Sequence, residues 1–596
     1  MPVYKTPLRD MQFVYNELFD PNSIEQLPGF EEITPDLVDA MLEEAGKFCE
    51  EKLHAINQSG DEEGCLFEDG TVSTPNGFVQ AYKEFCELGL GSLTGPVEYG
   101  GQGLPKTLGL MIEEIIASCN ISFSLYPGLT NGACNAILDK GSDELKQRYL
   151  PKMVDGSWTG AMSLTEPHCG TDLGLIRTKA TPNDDDSYTI TGTKIFITAG
   201  DHDLSENIIH LVLARTPDAP TGIKGISMFL VPKFVVNDQS EVGEPNNVNC
   251  SAIEHKMGIK ASATCVMNFD GATGYLVGEL NKGMAAMFIM MNIERLAVGI
   301  QGLGIAEASY QGAVSYAVER LQGRALTGTK NPNKAADPLL VHPDVRRMLL
   351  TQRAYSEGCR ALVAWVAREL DMSRHHPDAQ RRQQGEDFIA LLTPVVKAFS
   401  SDIGSEMANL GVQVLGGHGY IREHGMEQYI RDARIAQIYE GTNGIQALDL
   451  VGRKLTAFDG RYLQQFFGPV EKYLKQNSSN PYLRSFIQPL NDACAKLKSA
   501  TEYVVQQLTI APDDSAAAAT DYLRMFGLVA LGYLWARMAE VASAKANGGE
   551  SLFYQAKIDT AHFYFERLLP QCDALHQTIQ AGSNIIMKFN DDAFEI

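Results

Sequence analysis

The chain has 596 residues, which is too long for one compact core and predicts roughly three to five structural units. Its formal net charge of -24 at pH 7 makes nucleic acid and anionic membranes unexpected as general partners. The N-terminus lacks the apolar core of a secretory signal, and no uncharged apolar run of about 20 residues occurs. The 11 cysteines form no C-x-x-C pair, which disfavours a disulfide framework or a metal site. We therefore expect a cytoplasmic protein without integral membrane contact, with an organelle matrix as the alternative.

The first part of the chain, residues 1–158, is predicted to be a helical domain. Apolar residues recur there with the spacing of one helix face, which indicates helices that bury that face. The clearest repeats cover residues 35–56, 77–88 and 108–117.

Residues 159–282 are predicted to form a β-domain. Short segments rich in β-branched and aromatic residues alternate there with spacers of Asp, Asn, Pro and Gly, a composition typical of strands and turns. The predicted strands cover residues 188–198, 208–214, 226–231 and 265–269.

Helical periodicity returns in residues 283–455, which predict a helical bundle, and it continues in a helical extension over residues 456–596. The polar segment 327–337 predicts a mobile linker inside the bundle. The fold class is thus α+β: a helical domain, a β-domain, a helical bundle and an extra helical region. The longest predicted helices cover residues 284–321, 343–370, 386–410, 491–508, 516–545 and 556–574.

Two common nucleotide motifs are missing from the sequence. No G-x-x-x-x-G-K segment predicts a P-loop, and none of the G-x-G triplets continues to the third glycine of a dinucleotide fingerprint. A redox cofactor would therefore need another mode of binding.

Three segments carry residue types suited to chemistry. Residues 161–172, AMSLTEPHCGTD, offer hydroxyls and backbone N–H groups to a polar planar ligand or a phosphate, although a purely structural loop would have the same composition. In the second segment, Phe196 and Thr198 lie two residues apart and so on one strand face, which suits a flavin ring or, alternatively, a core Phe beside an exposed Thr. In the third, Glu440 precedes Gly441 after an apolar stretch, where a lone carboxylate is usually a helix cap or a salt-bridge partner.

Together, and in this order and spacing, the three segments resemble the acyl-CoA dehydrogenase family over roughly residues 35–455. The C-terminal extension is similar to a long bacterial subgroup that includes 3-methylmercaptopropionyl-CoA dehydrogenases and fatty acyl-CoA dehydrogenases. The resemblance implies an acyl-CoA dehydrogenase-like fold, an FAD cofactor and an acyl-CoA substrate. It also implies electron-transfer flavoprotein as the electron acceptor and a homodimer or tetramer in which subunits share FAD.

The resemblance also assigns residues. Glu440, in Tyr-Glu-Gly-Thr, falls at the family's catalytic base, which removes the proton beside the thioester while hydride leaves the β-carbon for the flavin. The implied FAD contacts are Met162, Ser163, Leu164, Thr165, Gly170, Thr171, Phe196, Thr198 and Thr442, with Arg324, Gln413, Gly416 and Gly417 reaching the FAD of a partner subunit. The implied substrate contacts are Thr171, Lys260, Ser262, Tyr439 and Gly441.

The sequence departs from the family pattern at positions that bear on these contacts. Phe196 stands where the family normally has Trp, Lys260 replaces a common Arg near the CoA, and Gly444 stands where Gln is frequent. Three alternatives remain at this point: a fatty acyl-CoA dehydrogenase, an acyl-CoA oxidase, and a non-catalytic acyl-CoA-binding protein.

Overall fold

The computed structural model describes residues 3–596. The chain folds into two compact units. The bundle unit contains the residues up to Glu43, Lys106–Glu114 and Val298–Ile596, and the sheet unit contains Glu44–Pro105 and Ile115–Ala297.

The N-terminal region is mostly helical, as predicted, but it also contains a small β-hairpin that the prediction missed. Asp69 and Gly70 both have positive φ angles, 51° and 78°, and connect two antiparallel strands that pair Glu68 with Thr71. An Asp-Gly pair favours this turn because its twist matches that of the flanking strands. The elements are α1 (Leu8–Gln12), α2 (Asn22–Glu25), α3 (Pro35–Phe48), α4 (Asn57–Glu63), β1 (Leu66–Glu68), β2 (Thr71–Ser73), α5 (Phe78–Glu87), α6 (Lys106–Cys119), α7 (Ile121–Lys140) and α8 (Asp143–Val154).

The β-domain that follows belongs to the sheet unit. Its strands are β3 (Trp158–Ser163), β4 (Lys179–Pro182), β5 (Tyr188–Thr198), β6 (Asn207–Ala214), β7 (Ser227–Pro232), β8 (Phe234–Val236), β9 (Val242–Pro245), β10 (Val248–Ile253) and β11 (Thr264–Val277). Seven of them form one sheet in the order β3-β6-β7-β11-β5-β4, with β10 also paired to β11. Every residue of β6 and β7 is buried, so these strands are covered on both faces.

Long helices return in the bundle, close to the predicted bounds. They are α9 (Gly283–Glu319), α10 (Pro343–His375), α11 (Ala379–Leu415), α12 (Met426–Ala436) and α13 (Asn443–Asp449). The connection between α9 and α10 is not the mobile linker that its polar composition predicted. Asp337 is fully buried there and accepts hydrogen bonds from the backbone N–H groups of Ala325 and Asn331 at 3.0 and 2.6 Å. A buried carboxylate therefore organises the loop.

The extension continues the bundle unit as α14 (Arg461–Asn477), α15 (Arg484–Ile510), α16 (Pro512–Lys545), α17 (Ser551–Phe563), α18 (Gln571–Ile579) and α19 (Asn584–Met587). A buried network of charges ties it to the other helices. Arg360 on α10 contacts Glu114 on α6, Glu307 on α9 and Asp10 near the N-terminus. Lys557 on α17 contacts the same Asp10 and also Glu357, at 2.8 Å for the latter.

Three helices of the described chain, α9, α11 with its following turn, and α16, are long and apolar enough to cross a membrane by length and composition. Their most apolar windows are 56%, 78% and 83% buried inside the protein, in chain order. In α16 the apolar run is also interrupted by charged residues, at Arg524, Arg537 and Glu540.

Two buried histidines in the sheet unit predict a loss of stability in mild acid. Burial lowers the pKa of both His202 and His210 to about 3. Because the unfolded chain takes up these protons below about pH 6.5 and the folded chain does not, each histidine lowers the free energy of unfolding by up to about 1.4 kcal/mol for each pH unit below that.

We expect the urea concentration at the unfolding midpoint to fall when the pH is lowered from 6.5 to 5. In H210Q this midpoint should fall less steeply with pH than in the unmodified chain. His255 is exposed, so H255Q serves as the control and should keep the original slope. An H210Q slope equal to that of the unmodified chain would show that His210 is not buried in its neutral form.

Candidate functional site

The first candidate site is the segment that connects β3 to β4 in the sheet unit. The structure corrects the prediction that 161–172 is entirely loop, because Ala161 to Ser163 still belong to β3. Two successive carbonyls of the following loop are then held by β5: Leu164 O accepts from Lys194 Nζ and Thr165 O accepts from Ile195 N, both at 2.9 Å. The loop therefore leaves the sheet in a fixed direction.

Glu166, near the start of this loop, accepts hydrogen bonds that hold the loop in place. It is 3% exposed, and its Oε1 accepts from the fully buried Lys194 Nζ at 2.9 Å and from the Thr178 hydroxyl at 2.6 Å. Its Oε2 accepts from Arg177 N at 2.7 Å. Burial alone would raise the pKa of Glu166, but Lys194 and the hydrogen-bond donors outweigh it and hold this pKa below its usual value. The buried ion pair thus joins both ends of the loop to β5.

Phe196 lies in a strained backbone conformation at a β-bulge. Met267 of β11 pairs with Lys194 and Cys265 pairs with Ile197, so two residues of β5 oppose one residue of β11. Phe196 has a φ angle of 58° and is 59% exposed, whereas Ile197 is buried. For a residue other than glycine, a backbone conformation with such a φ angle costs about 1–3 kcal/mol, and such residues are concentrated at functional sites.

The other predicted FAD contacts in this unit differ in exposure. Ser163 and Leu164 are buried, Met162, Thr165 and Thr198 are half-buried, and Gly170 and Thr171 are exposed at the end of the loop. Ile197, between Phe196 and Thr198, is buried, and both of its neighbours are more exposed; because Phe196 lies in the bulge, a shared strand face for Phe196 and Thr198 stays a prediction. An exposed ring, a neighbouring hydroxyl and an exposed glycine-containing loop fit the planar ring and polar edges of a flavin.

The two predicted substrate contacts near β11 have different environments. Lys260 is half-buried and its carbonyl accepts from Cys65 N at 3.1 Å, while Ser262 is fully buried and its carbonyl accepts from Lys256 Nζ at 2.7 Å. Their roles toward CoA stay predictions.

Glu166, His168 and Cys169 bring three possible metal ligands within 4.8 Å of one another. Glu166 already balances Lys194, and His168 Nε2 lies 2.9 Å from Leu175 O, so both take part in holding the loop. These contacts explain why the three side chains lie close together, and the prediction from sequence, which includes no metal site, stays a prediction.

A second candidate site is the turn between α12 and α13 in the bundle unit. Glu440 and Gly441 have φ angles of 56° and 83°, so two successive residues adopt the left-handed conformation. A side chain on Gly441 would meet Gln446 Nε2 at 2.8 Å, so glycine is required there on two grounds. Glu440 is half-buried and its Oε2 atom is shielded from solvent.

The residues that flank Glu440 hold this turn. Tyr439 donates its hydroxyl hydrogen to Gln301 of α9, and Gln446 Nε2 donates to Glu440 O at 2.9 Å. Thr442 begins α13 as its N-cap, with its hydroxyl accepting from Ile445 N at 3.3 Å. The strained backbone is thereby fixed, and with it the direction in which the Cα–Cβ bond of Glu440 points.

The four residues assigned to a partner's FAD lie elsewhere in the bundle unit. Gln413, Gly416 and Gly417 are exposed at the end of α11, and Gly416 needs glycine because its φ angle is 61°. Arg324 donates to Asn331 O at 3.0 Å and to Lys334 O at 2.6 Å, so its guanidinium contacts its own loop. Contacts of these residues with a partner subunit stay predictions.

Family models for acyl-CoA dehydrogenases match most of the chain. The N-terminal, middle and C-terminal domains match residues 36–157, 161–272 and 281–455, and a model described as "Acetyl-CoA dehydrogenase C-terminal like" matches residues 466–590. The last of these covers most of the extension.

Relatives of similar length support the same assignment. The chain is 44% identical to 3-methylmercaptopropionyl-CoA dehydrogenase of Ruegeria pomeroyi over 97% of this chain and 98% of the relative. It is 34% identical to a butyryl-CoA dehydrogenase of Syntrophomonas wolfei over 99% of both. The fold is similar to that of an acyl-CoA dehydrogenase from Bacillus anthracis complexed with FAD, with a TM-score of 0.75, 22% identity and coverage of 97% and 93%.

The chain therefore belongs to the acyl-CoA dehydrogenase family. It is an FAD-dependent oxidoreductase that acts on acyl-CoA thioesters. Its fold is the family's helical, β and helical arrangement with a C-terminal helical extension.

Sequence reasoning missed Lys194 and Glu166, although one signal was present. Lys194 interrupts an otherwise apolar and β-branched strand, where a buried lysine needs a partner carboxylate. The sequence could suggest that a partner exists, but it could not show that the partner is Glu166.

We expect K194M to weaken FAD binding by at least about tenfold, equal to about 1.4 kcal/mol, because the loop loses its attachment to β5. The measurement is the ratio of flavin absorbance to protein after gel filtration, with circular dichroism as the check of folding. Lys179, exposed on the neighbouring β4, gives the matched control K179M.

K194M leaves Glu166 with an unbalanced buried charge, which costs about 3–5 kcal/mol and can prevent folding. The double variant K194M/E166Q removes both charges and keeps the shape, so it tests the attachment in a neutral background. Normal FAD affinity in a folded K194M or in the double variant would show that the ion pair does not position the loop for the cofactor.

Proposed function

We propose that this enzyme dehydrogenates 3-methylmercaptopropionyl-CoA to its trans-2-enoyl thioester, with Glu440 as the base. The observation that supports Glu440 best is its backbone, which forms a strained, left-handed turn. Gln446 holds the carbonyl of Glu440, and Gln301 holds the hydroxyl of the preceding Tyr439. The substrate is proposed from the 44% identical relative, which matches the chain along nearly its whole length.

In this proposal the Glu440 carboxylate takes the proton from the carbon next to the thioester carbonyl. A base that is carried on a fixed backbone has fewer orientations to sample before it reacts, and this lowers the barrier relative to a base on a mobile loop. Bound FAD supplies the acceptor for the hydride that leaves the β-carbon. Phe196, Thr198 and the exposed loop around Thr171 would hold the flavin, and Lys260 would contact the CoA.

We further propose electron-transfer flavoprotein as the electron acceptor, a homodimer or tetramer as the assembly, and the cytoplasm as the location. Family membership supports the first two, and the 11 free thiols of the described chain support a reducing compartment. An external acceptor with negligible peroxide formation would support the dehydrogenase, whereas stoichiometric peroxide would indicate an oxidase.

A fatty acyl-CoA substrate is the second candidate, because butyryl-CoA dehydrogenases match the full length at 34% identity. We expect anaerobic titration to bleach the oxidised flavin band most rapidly with 3-methylmercaptopropionyl-CoA, compared with butanoyl-, octanoyl- and palmitoyl-CoA. Faster bleaching by one of the fatty acyl esters would reassign the substrate, and bleaching by none of them would exclude both candidates.

We expect E440Q to retain FAD and to reduce it about 10²–10⁴-fold more slowly at saturating substrate, because an amide cannot accept the proton. Stopped-flow absorbance of the flavin measures this rate. Glu423 is an exposed glutamate in the same segment, so E423Q is the control and should reduce flavin at the original rate. An unimpaired E440Q would place the base elsewhere.

A further inference from the structure

The turn that carries Glu440 lies against a fully buried lysine. Lys397, on α11, is 0% exposed, and its Nζ donates to Gly441 O and to Asn443 Oδ1, both at 2.8 Å. A buried ammonium group is costly unless fixed acceptors replace its water. Two of those acceptors belong to the residues that immediately follow the proposed base.

Asn443 extends this contact into a closed set of hydrogen bonds. Its Nδ2 donates to Asp402 Oδ1 at 2.7 Å and to Ser401 Oγ at 3.0 Å. Asp402 Oδ1 also accepts from Gln437 Nε2 at 2.6 Å, and Asn443 N donates back to Gln437 O at 3.0 Å. Residues on both sides of Glu440 are therefore tied to the same stretch of α11.

The strain in the turn explains why such a frame is needed. Non-glycine residues at positive φ cost about 1–3 kcal/mol and persist only where the surroundings fix them. Gln446 Nε2 holds Glu440 O and Lys397 Nζ holds Gly441 O, so the two consecutive carbonyls of the left-handed pair each have a buried donor. Lys397 therefore supplies the donor for the peptide that follows Gly441, and removing it would leave that carbonyl without this donor and free that side of the turn.

We propose that Lys397 is the positioning residue for the catalytic base, acting through the Gly441 carbonyl and Asn443. The proposal rests on the proposed role of Glu440 and adds to it the element that sets its geometry. Lys397 contacts the turn rather than the reacting atoms, so its removal should slow proton abstraction while the binding of FAD and acyl-CoA remains.

The test compares K397M, which keeps the length of the side chain without its charge, with K397Q, which keeps a hydrogen-bond donor. A displacement of about 1 Å in a reacting group costs about a hundredfold in rate, so we expect K397M to reduce flavin about 100-fold more slowly at saturating substrate. KM should stay within about threefold of the original, because Lys397 is not proposed to contact the substrate and the binding of the acyl-CoA is therefore unchanged. K397Q should retain a larger share of the rate than K397M.

Lys557 offers a matched control for the general cost of deleting a buried lysine. It is also 0% exposed, but it contacts Asp10 and Glu357 in the charge network rather than the turn. K557M should lose stability without the selective loss of flavin reduction. Hydrogen exchange of the peptide spanning residues 437–443 gives a readout independent of activity, and it should become faster in K397M and stay unchanged in K557M.

The outcomes separate this inference from the proposed function. If E440Q reduces flavin normally, Glu440 is not the base and both proposals fail. If E440Q is impaired but folded K397M and K397Q reduce flavin at the original rate, only the positioning role is overturned. An equal loss of rate in K397M and K557M, or unchanged exchange of residues 437–443 in K397M, would also overturn it. Should K397M not fold, K397Q decides: its donor reaches about one bond less far than that of Lys397, so the rate should fall below the original, and an original rate in folded K397Q would overturn the positioning role.

Discussion

A cation that leaves water needs acceptors in fixed positions, and Arg360 shows how strongly this requirement shapes the bundle unit. Its guanidinium is 2% exposed and contacts carboxylates from the N-terminal segment, α6 and α9. Lys557 brings the extension into the same network through Asp10. Burial by itself would raise the pKa of Asp10, but the two cations outweigh it and leave this pKa below its usual value. Removing one member would strand another as an unbalanced charge, so these segments depend on one another.

The same constraint operates at both candidate sites. Phe196 and Glu440 have φ angles of 58° and 56°, and each lies beside a segment that a fully buried lysine holds. Lys194 joins the loop after β3 to the strand that carries Phe196, and Lys397 joins α11 to the turn that carries Glu440. Strain at the functional residues is thus balanced by charge-assisted hydrogen bonds behind them, which keeps the sites preorganised.

Local signals in the sequence were enough for most of the fold. The apolar periodicity of α9, α10 and α11 predicted long helices within a few residues of their ends, and the β-branched run 188–198 predicted β5. The hairpin at Asp69-Gly70 was not predicted although its turn signal is present, because its two strands have only three residues each and show no clear alternation of apolar and polar residues. The loop 327–337 was predicted to be mobile from its polarity, but composition cannot show that Asp337 is buried and gathers three backbone N–H groups.

The sequence by itself determined the family and the cofactor class, and it supplied the prediction of the base, because each depends on short segments in a characteristic order. It could not determine how those segments are held. Lys194 and Leu164 are 30 residues apart in the chain, and Lys397 and Gly441 are 44 residues apart. Nothing in the local pattern of either lysine specifies its partner, since burial and acceptor geometry arise only when distant segments pack together. The tertiary structure therefore decided where the two buried lysines bind: Lys194 binds the loop after β3, and Lys397 binds the carbonyl of the residue that follows Glu440.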